Sequence, residues 1–152
     1  MTFPIAEAVG SKGEVVGIDL SEGMLVKVTE EAKKNGFSNI SFKNMDAEKL
    51  DLPDALFDIM INSLGLMYYP DPDKAIREMY RVSKSGGRAT ALVWGRRNAC
   101  GWANIFPIVD WRVDWMCVRC FFQLGTGNTL VQGFENVGFG DVELDRFEVS
   151  LP

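Results

Sequence analysis

Asp19 is the residue of this 152-residue chain whose type and position are best suited to ligand chemistry. It ends the short apolar run of residues 14–19, and Ser21 then begins a helical pattern. In nucleotide-binding α/β folds, a carboxylate at such a strand end accepts hydrogen bonds from both hydroxyls of a ribose. The Gly-rich loop that normally lies about 20 residues earlier would fall before Met1. We therefore expect the chain to begin inside a cofactor-binding domain.

The composition argues against several other kinds of chemistry. Histidine is absent, which excludes Ser-His-Asp and Cys-His catalysis and His-ligated metals. Cys117 and Cys120 have the spacing of a metal knuckle, but with Cys100 they are the only cysteines, so we predict no metal site and no disulfide framework. The net charge is −5 and no basic cluster is longer than Arg96-Arg97, which argues against nucleic acid as a partner. No apolar stretch approaches the ~20 residues of a membrane span, and we expect a cytoplasmic protein.

Short apolar runs alternate with amphipathic segments along the chain. Residues 14–19, 40–43, 57–62 and 88–94 have strand patterns, and residues 22–34 and 71–83 have helical patterns. Residues 130–137 predict a further helix and residues 142–151 a last strand, whereas residues 4–9 fit either the tail of a helix or a disordered lead-in. This order predicts an α/β fold with a doubly wound, mostly parallel, Rossmann-like sheet. Residues 57–62 are nearly all apolar, so we expect that strand to be covered on both faces.

No linker or repeat divides the sequence, so we predict a single domain over residues 1–152. Within it, residues 10–94 form a cofactor-binding half, residues 95–128 an aromatic-rich insertion on the substrate side, and residues 129–152 a C-terminal helix and strand. The insertion and the residue just before it contribute many large aromatic side chains. These side chains would either cover an apolar substrate site or pack together as a core. They are Trp94, Trp102, Phe106, Trp111, Trp115, Phe121 and Phe122.

Four segments in this order and spacing resemble the class I S-adenosylmethionine-dependent methyltransferases. The closest branch includes the ubiquinone and menaquinone C-methyltransferases. The segments are VVGIDLSEGML at 15–25, NMDAEKL at 44–50, FDIMINSLGL at 57–66 and REMYRVSKSGGR at 77–88. Residues 133–142 carry a weaker resemblance. The resemblance implies S-adenosylmethionine as cofactor and methyl transfer to a small-molecule acceptor.

The resemblance also implies roles for individual residues. Asp19 would bind the ribose, Met24 would pack on the adenine, and Asp46 would accept from the adenine amino group. The methionine portion would lie at the end of the third strand, and Tyr68, Tyr69 and Trp94 would be on the substrate side. The implied cofactor-binding set is Asp19, Leu20, Met24, Asp46, Ala47, Asn62, Ser63 and Leu64. We assign no catalytic base, because a sulfonium donor is already a strong electrophile and positioning supplies most of the catalysis.

The sequence departs from the family at both ends. The first strand and the Gly-x-Gly-x-Gly loop of the family are missing, and so is a last antiparallel strand, so we expect a truncated fold. Because the missing first strand lies at the centre of the family's sheet, its loss would leave a gap of about 10 Å with two unpaired edges. We expect either that the flanking strands pair directly or that another chain donates a strand, which would give a homodimer.

Two other functions stay open from the sequence alone. The chain could be a methyltransferase-like remnant that binds no cofactor and packs or dimerises instead. It could also be another nucleotide-binding α/β protein such as a dehydrogenase, because an acid after the second strand suits NAD as well. The Asp46-Ala47 pair and residues 81–87 disfavour the dehydrogenase.

Overall fold

A computed structural model describes residues 1–105 and 121–150 of the chain. The chain divides into two compact units, Met1–Leu52 and Pro53–Pro152. Several residues named above lie outside the described residues: Phe106, Trp111, Trp115, Cys117, Cys120 and Leu151. Within the described part of the chain, no helix has the length and apolar character needed to cross a bilayer.

The first unit consists of two helices and two parallel strands. They are α1 (Thr2–Val9), β1 (Val15–Asp19), α2 (Glu22–Lys34) and β2 (Ile40–Asn44). The two strands pair in register from Val15↔Ile40 to Asp19↔Asn44. The side chain of Ser21 accepts from the backbone N–H of Met24 at 3.3 Å and so caps the start of α2, and Asn35 is the C-cap of the helix.

The side chain of Asn39 stabilises the start of this unit through hydrogen bonds. Its side-chain amide nitrogen donates to the carbonyls of Ala6 at 3.0 Å, Gly10 at 2.9 Å and Gly13 at 3.3 Å. The carbonyls near the end of a helix lack partners within the helix, so this one side chain satisfies groups that would otherwise need water. The segment from α1 to β1 is thereby tied to the residue that precedes β2.

The second unit contains the other parallel pair. Its elements are β3 (Phe57–Ser63), α3 (Pro72–Val82), β4 (Ser83–Leu92) and α4 (Thr129–Val137). The strands pair from Ile59↔Arg88 to Ser63↔Leu92, with a register shift between Phe57 and Ile59 that makes a bulge of residues 84–87. Asp71 caps α3 by accepting from the backbone N–H of Lys74, and α3 buries one apolar face formed by Ala75, Ile76, Met79 and Val82.

The α/β class with parallel strand pairs is confirmed, and the predicted helices and first three strands lie within about two residues of their expected bounds. The fourth strand, expected over residues 88–94, begins five residues earlier, at Ser83. One expectation about strand contacts was wrong. Ile59 and Ile61 are 57% and 43% exposed, so β3 is not covered on both faces. They share a face with Arg88 and Thr90 of β4, which are exposed as well. Within the units, β1 pairs with β2 and β3 pairs with β4, and how the flanking strands fill the expected gap stays a prediction.

The predicted last strand is not formed over residues 142–150, which have no regular secondary structure. An extended segment becomes a strand only when a neighbouring backbone completes its ladder of hydrogen bonds. Instead, a side chain holds this segment. Arg146 donates to the carbonyls of Gly125 at 3.3 Å and Gly127 at 2.7 Å.

Candidate functional site

The carboxyl ends of β1 and β2 lie side by side in the first unit and are tied to each other beyond the last strand pair. The backbone N–H of Met45 donates to the carbonyl of Asp19 at 3.3 Å. The side-chain amide of Asn44 donates to the carbonyls of Asp19 at 3.1 Å and Leu20 at 2.9 Å. Because Asp46 follows Met45 directly, the two predicted carboxylates are placed at the same edge of this sheet.

The carboxylate of Asp19 is oriented by its own backbone. Its Oδ1 accepts from the N–H of Ser21 at 2.7 Å, a turn that also prepares the start of α2. The side chain is exposed, and within residues 1–105 and 121–150 its Oδ2 has no hydrogen bond and the group has no ion pair. The carboxylate is therefore both fixed in direction and available to a ligand with two adjacent donors.

Asp46 begins a tight turn after β2. Its Oδ1 accepts from the N–H of Glu48 at 2.9 Å, and its carbonyl accepts from the N–H of Lys49 at 3.0 Å. The side chain of Asp46 is exposed and Ala47 is half-buried. The turn thus presents a second fixed carboxylate with one oxygen already bonded to the backbone.

Two large apolar side chains near Asp19 are open to solvent. Leu20 is 64% exposed and Met24, in the first turn of α2, is 51% exposed. Exposed apolar groups next to oriented polar groups are typical of a surface that a ligand covers. In the first unit, the structure therefore places all five predicted residues around the start of α2 and the turn after β2: Asp19, Leu20, Met24, Asp46 and Ala47.

The loop after β3 in the second unit is organised by Asn62. The side-chain oxygen of Asn62 accepts from the N–H of Gly65 at 3.0 Å and of Leu66 at 2.9 Å, and its Nδ2 donates to the hydroxyl of Tyr69 at 3.1 Å. Leu64, which lies between Asn62 and Gly65, has a φ of 60°, in the left-handed region. Its backbone N–H donates to the carbonyl of Leu92 in β4 at 2.9 Å. Ser63 is exposed at the end of β3.

Aromatic side chains pack beside this loop. Met67, Ala103, Phe121 and Phe122 form a buried cluster, against which the partly buried Leu64, Val93, Trp94, Cys100 and Trp102 pack. Trp94 meets Trp102 edge-on at 5.3 Å between ring centroids, and Tyr68 meets Phe121 edge-on at 5.1 Å. Phe121 and Phe122 are therefore core residues, whereas Tyr68 is 62% exposed and offers a free aromatic surface.

Burial in this cluster raises the pKa of the Cys100 thiol, because the thiolate would lose its hydration. Its Sγ lies 3.7 Å from the carbonyl of Gly95. A raised pKa makes a thiol a poor nucleophile at neutral pH, so Cys100 has the environment of a structural cysteine. Among the residues that the structure describes, no group of three acidic or cysteine side chains is placed to hold a metal ion.

Sequence reasoning missed the residues that hold the site in place. Asn44 stands in the segment that carries the resemblance, but its bonds to Asp19 and Leu20 depend on the register of two strands. The hydrogen bonds of Asn62 to Gly65, Leu66 and Tyr69 likewise become visible only when the loop is folded. An asparagine at the last position of a strand is the one signal that suggests such a role, since its amide can cap neighbouring backbone groups.

Comparisons with known proteins show the family and the fold class of the chain. A model of the methyltransferase domain family matches residues 1–94. A demethylmenaquinone methyltransferase from Anoxybacillus flavithermus is 36% identical over 105 residues, which cover 69% of this chain and 44% of that protein. The match thus spans less than half the length of that curated relative.

Two crystal structures are similar in fold. A SAM-dependent methyltransferase from Aquifex aeolicus matches with a TM-score of 0.51 and 30% identity over 54% of this chain and 44% of its own. A protein from Bacillus halodurans matches over 83% of this chain and 53% of its own with a TM-score of 0.64 and 24% identity, a likeness of fold alone. These matches confirm the Rossmann-like class of the fold.

Proposed function

This chain belongs to the methyltransferase domain family, and from that premise we propose that it binds S-adenosylmethionine and serves methyl transfer to a small-molecule acceptor. The resemblance that the sequence carries is confirmed at the level of the family. Because the match covers less than half of the curated relative, the activity of the whole protein belongs to the proposal.

The observation that carries the proposal is the fixed and available carboxylate of Asp19. A ribose offers two neighbouring hydroxyl donors, and a carboxylate can accept both. Hydrogen bonds to a charged group contribute about 1.5–3 kcal/mol each. The bond from Ser21 holds the carboxylate in one orientation before any ligand arrives, so little side-chain entropy is lost on binding.

The neighbouring residues suit the adenine portion. The open side chains of Leu20 and Met24 provide apolar surface for a planar ring, and covering such side chains favours binding. The turn at Asp46 directs an acceptor toward a donor such as an exocyclic amino group. For Met24 and Asp46, these are the adenine contacts that the family resemblance implied. The loop organised by Asn62 would bind the amino-acid portion of the cofactor.

The bound cofactor supplies an activated methyl group on a sulfonium centre. The protein's residues then have to orient donor and acceptor and exclude water. The exposed ring of Tyr68, supported by Phe121, favours an acceptor with an apolar face, and Trp94 packs in the same cluster. The relative from Anoxybacillus is named for demethylmenaquinone, and we propose an apolar acceptor of that general kind.

Titration calorimetry with S-adenosylhomocysteine tests the proposal. We expect micromolar binding by the natural chain, a loss of at least about 20-fold in Asp19→Ala, and no binding of NAD. Glu22→Ala is the matched control, because it removes an exposed acid three residues away from Asp19. Absence of heat with the natural chain at millimolar ligand would overturn the proposal and favour a methyltransferase-like protein that binds no cofactor.

We further propose that the chain forms a homodimer and functions in the cytoplasm. Each unit has only two paired strands, so each strand has one edge that is unpaired within its own unit, and the backbone groups of such an edge can pair with another chain. The mass of the particle in solution, measured by light scattering, tests the first point. A strictly monomeric mass over a range of protein concentrations would rule out strand exchange.

A further inference from the structure

The loop after β3 is closed by hydrogen bonds that we call the Asn62–Tyr69 clasp, formed by Asn62, Gly65, Leu66 and Tyr69. The oxygen of the Asn62 side chain accepts two backbone N–H groups, at 3.0 Å from Gly65 and 2.9 Å from Leu66. The nitrogen of the same side chain donates to the Tyr69 hydroxyl at 3.1 Å. One half-buried amide thus joins the end of β3 to a residue seven positions later.

The clasp leaves no space for a side chain at position 65. A Cβ on Gly65 would lie 2.7 Å from the Tyr69 hydroxyl and 2.9 Å from the Asn62 oxygen. Both distances are well inside van der Waals contact. Gly65 is therefore needed for the close approach of its neighbours rather than for its φ, which is an ordinary −87°.

These contacts separate the role of Asn62 from that of the residues beside it. The Asn62 side-chain oxygen already accepts two hydrogen bonds from the loop backbone, and the side-chain nitrogen donates to the Tyr69 hydroxyl. Ser63 and Leu64, in contrast, lie between the two ends of the clasp, with Ser63 exposed and Leu64 held in the left-handed conformation. Ligands in open α/β folds bind at the carboxyl ends of the strands, which is where Ser63 and Leu64 lie.

We propose that Asn62 and Tyr69 are positioning residues, which fix the backbone of Ser63 and Leu64 and thereby set the affinity for the amino-acid end of the cofactor. This inference rests on the proposed function. A loop that is already ordered loses little conformational entropy when the ligand binds. The intact clasp therefore favours binding although its residues do not contact the ligand. Opening the clasp lowers that affinity and leaves binding of the adenosine end unchanged.

Two ligands separate these effects. S-Adenosylhomocysteine has the amino-acid portion, and 5′-methylthioadenosine lacks it. In Tyr69→Phe, which removes the hydroxyl but keeps the ring, we expect affinity for S-adenosylhomocysteine to fall about fivefold to tenfold, and affinity for methylthioadenosine to change less than about twofold. Gly65→Ala opens the clasp by steric pressure and should give the same selective loss. Tyr80→Phe is the matched control, because Tyr80 lies on α3 and packs on Phe139.

The outcomes are distinct for the two proposals. If the natural chain binds neither ligand at millimolar concentration, the proposed function fails and this inference falls with it. If the natural chain binds both ligands but Tyr69→Phe binds them unchanged, or weakens both equally, only the positioning role is overturned. A melting temperature recorded for each variant shows whether an equal loss comes from unfolding.

Discussion

The side-chain amide of Asn44 donates to the main-chain carbonyl of Asp19 at 3.1 Å, across the ends of two parallel strands. The same amide donates to the carbonyl of Leu20 at 2.9 Å. Two carbonyls at the end of β1 are thus bonded to a residue that lies 25 and 24 positions away from them in the sequence. The direction of the Asp19 carboxylate therefore depends on Asn44, although Asn44 itself need not contact a ligand.

Asn44→Ala tests this dependence. We expect the free energy of unfolding to fall by about 1 kcal/mol, because one donor group is lost from an exposed position. We also expect affinity for S-adenosylhomocysteine to fall severalfold, since the chain beyond Asp19 becomes less ordered. Urea denaturation and calorimetry measure the two effects. Ser41→Ala, an exposed residue of the same strand, is the control, and an equal loss of affinity in that variant would contradict the argument.

Asp46→Asn tests the contact to the adenine amino group. The asparagine oxygen can still accept from the N–H of Glu48, so the turn is kept, but the second oxygen becomes an NH₂ donor. Two facing donors repel, and we expect about a tenfold loss of affinity for S-adenosylhomocysteine. The inosine analogue of that ligand has a carbonyl in place of the amino group, so its affinity should stay constant or rise.

The control for this substitution is Asp51→Asn, which removes an exposed charge in the same connecting segment. Calorimetry with both ligands on both variants gives four affinities. If Asp46→Asn weakened the inosine analogue as much as the adenine ligand, Asp46 would be acting through charge or turn structure rather than through the amino group.

Local patterns predicted most of the regular structure. The β-branched run that ends at Asp19 and the apolar spacing of α3 are visible in the sequence, and Ser21 and Asp71 cap helices as their types suggest. These features depend on residues within one or two turns of each other. The α/β class followed from their order along the chain.

What the sequence did not predict depends on contacts between distant segments. The bonds of Asn39 to three carbonyls and of Asn44 to two require the strand register, which no local pattern specifies. The exposure of Ile59 and Ile61 was missed because an apolar run shows that a strand can be buried but not which neighbours cover it. The segment from 142 to 150 fails as a strand for the same reason.

Arg81 joins α3 to the segment before β3. Its guanidinium donates to both oxygens of Glu78, at 2.9 and 2.7 Å, and to Asp54 at 2.7 Å. These partners raise the pKa of Arg81 further, so the group stays charged at any practical pH. Lysine lacks the planar guanidinium that makes these paired bonds, so in Arg81→Lys we expect the free energy of unfolding to fall by about 0.5–1 kcal/mol. The decrease is modest because Asp54 is exposed and solvent screens its interaction with Arg81.

Chemical denaturation at low and high salt measures this effect, which should shrink as salt rises. Arg77→Lys is the matched control on the same helix. Its ion pair with Asp71 spans 3.9 Å between exposed side chains, so that variant should stay within about 0.5 kcal/mol of the natural chain. Equal destabilisation by both substitutions would mean that general helix effects, and not the Arg81 bonds, were responsible.

The partly buried thiol of Cys100 predicts a loss of stability at alkaline pH. Burial raises its pKa in the folded state, so the unfolded chain releases this proton at a lower pH than the folded chain does. Stability from the neutral thiol is therefore complete below the ordinary thiol pKa, and it is lost as pH rises through the folded value. We expect the free energy of unfolding to fall more steeply above the ordinary thiol pKa of about 8.5 in the natural chain than in Cys100→Ala. Parallel slopes for the two proteins would show that other groups account for the alkaline decline.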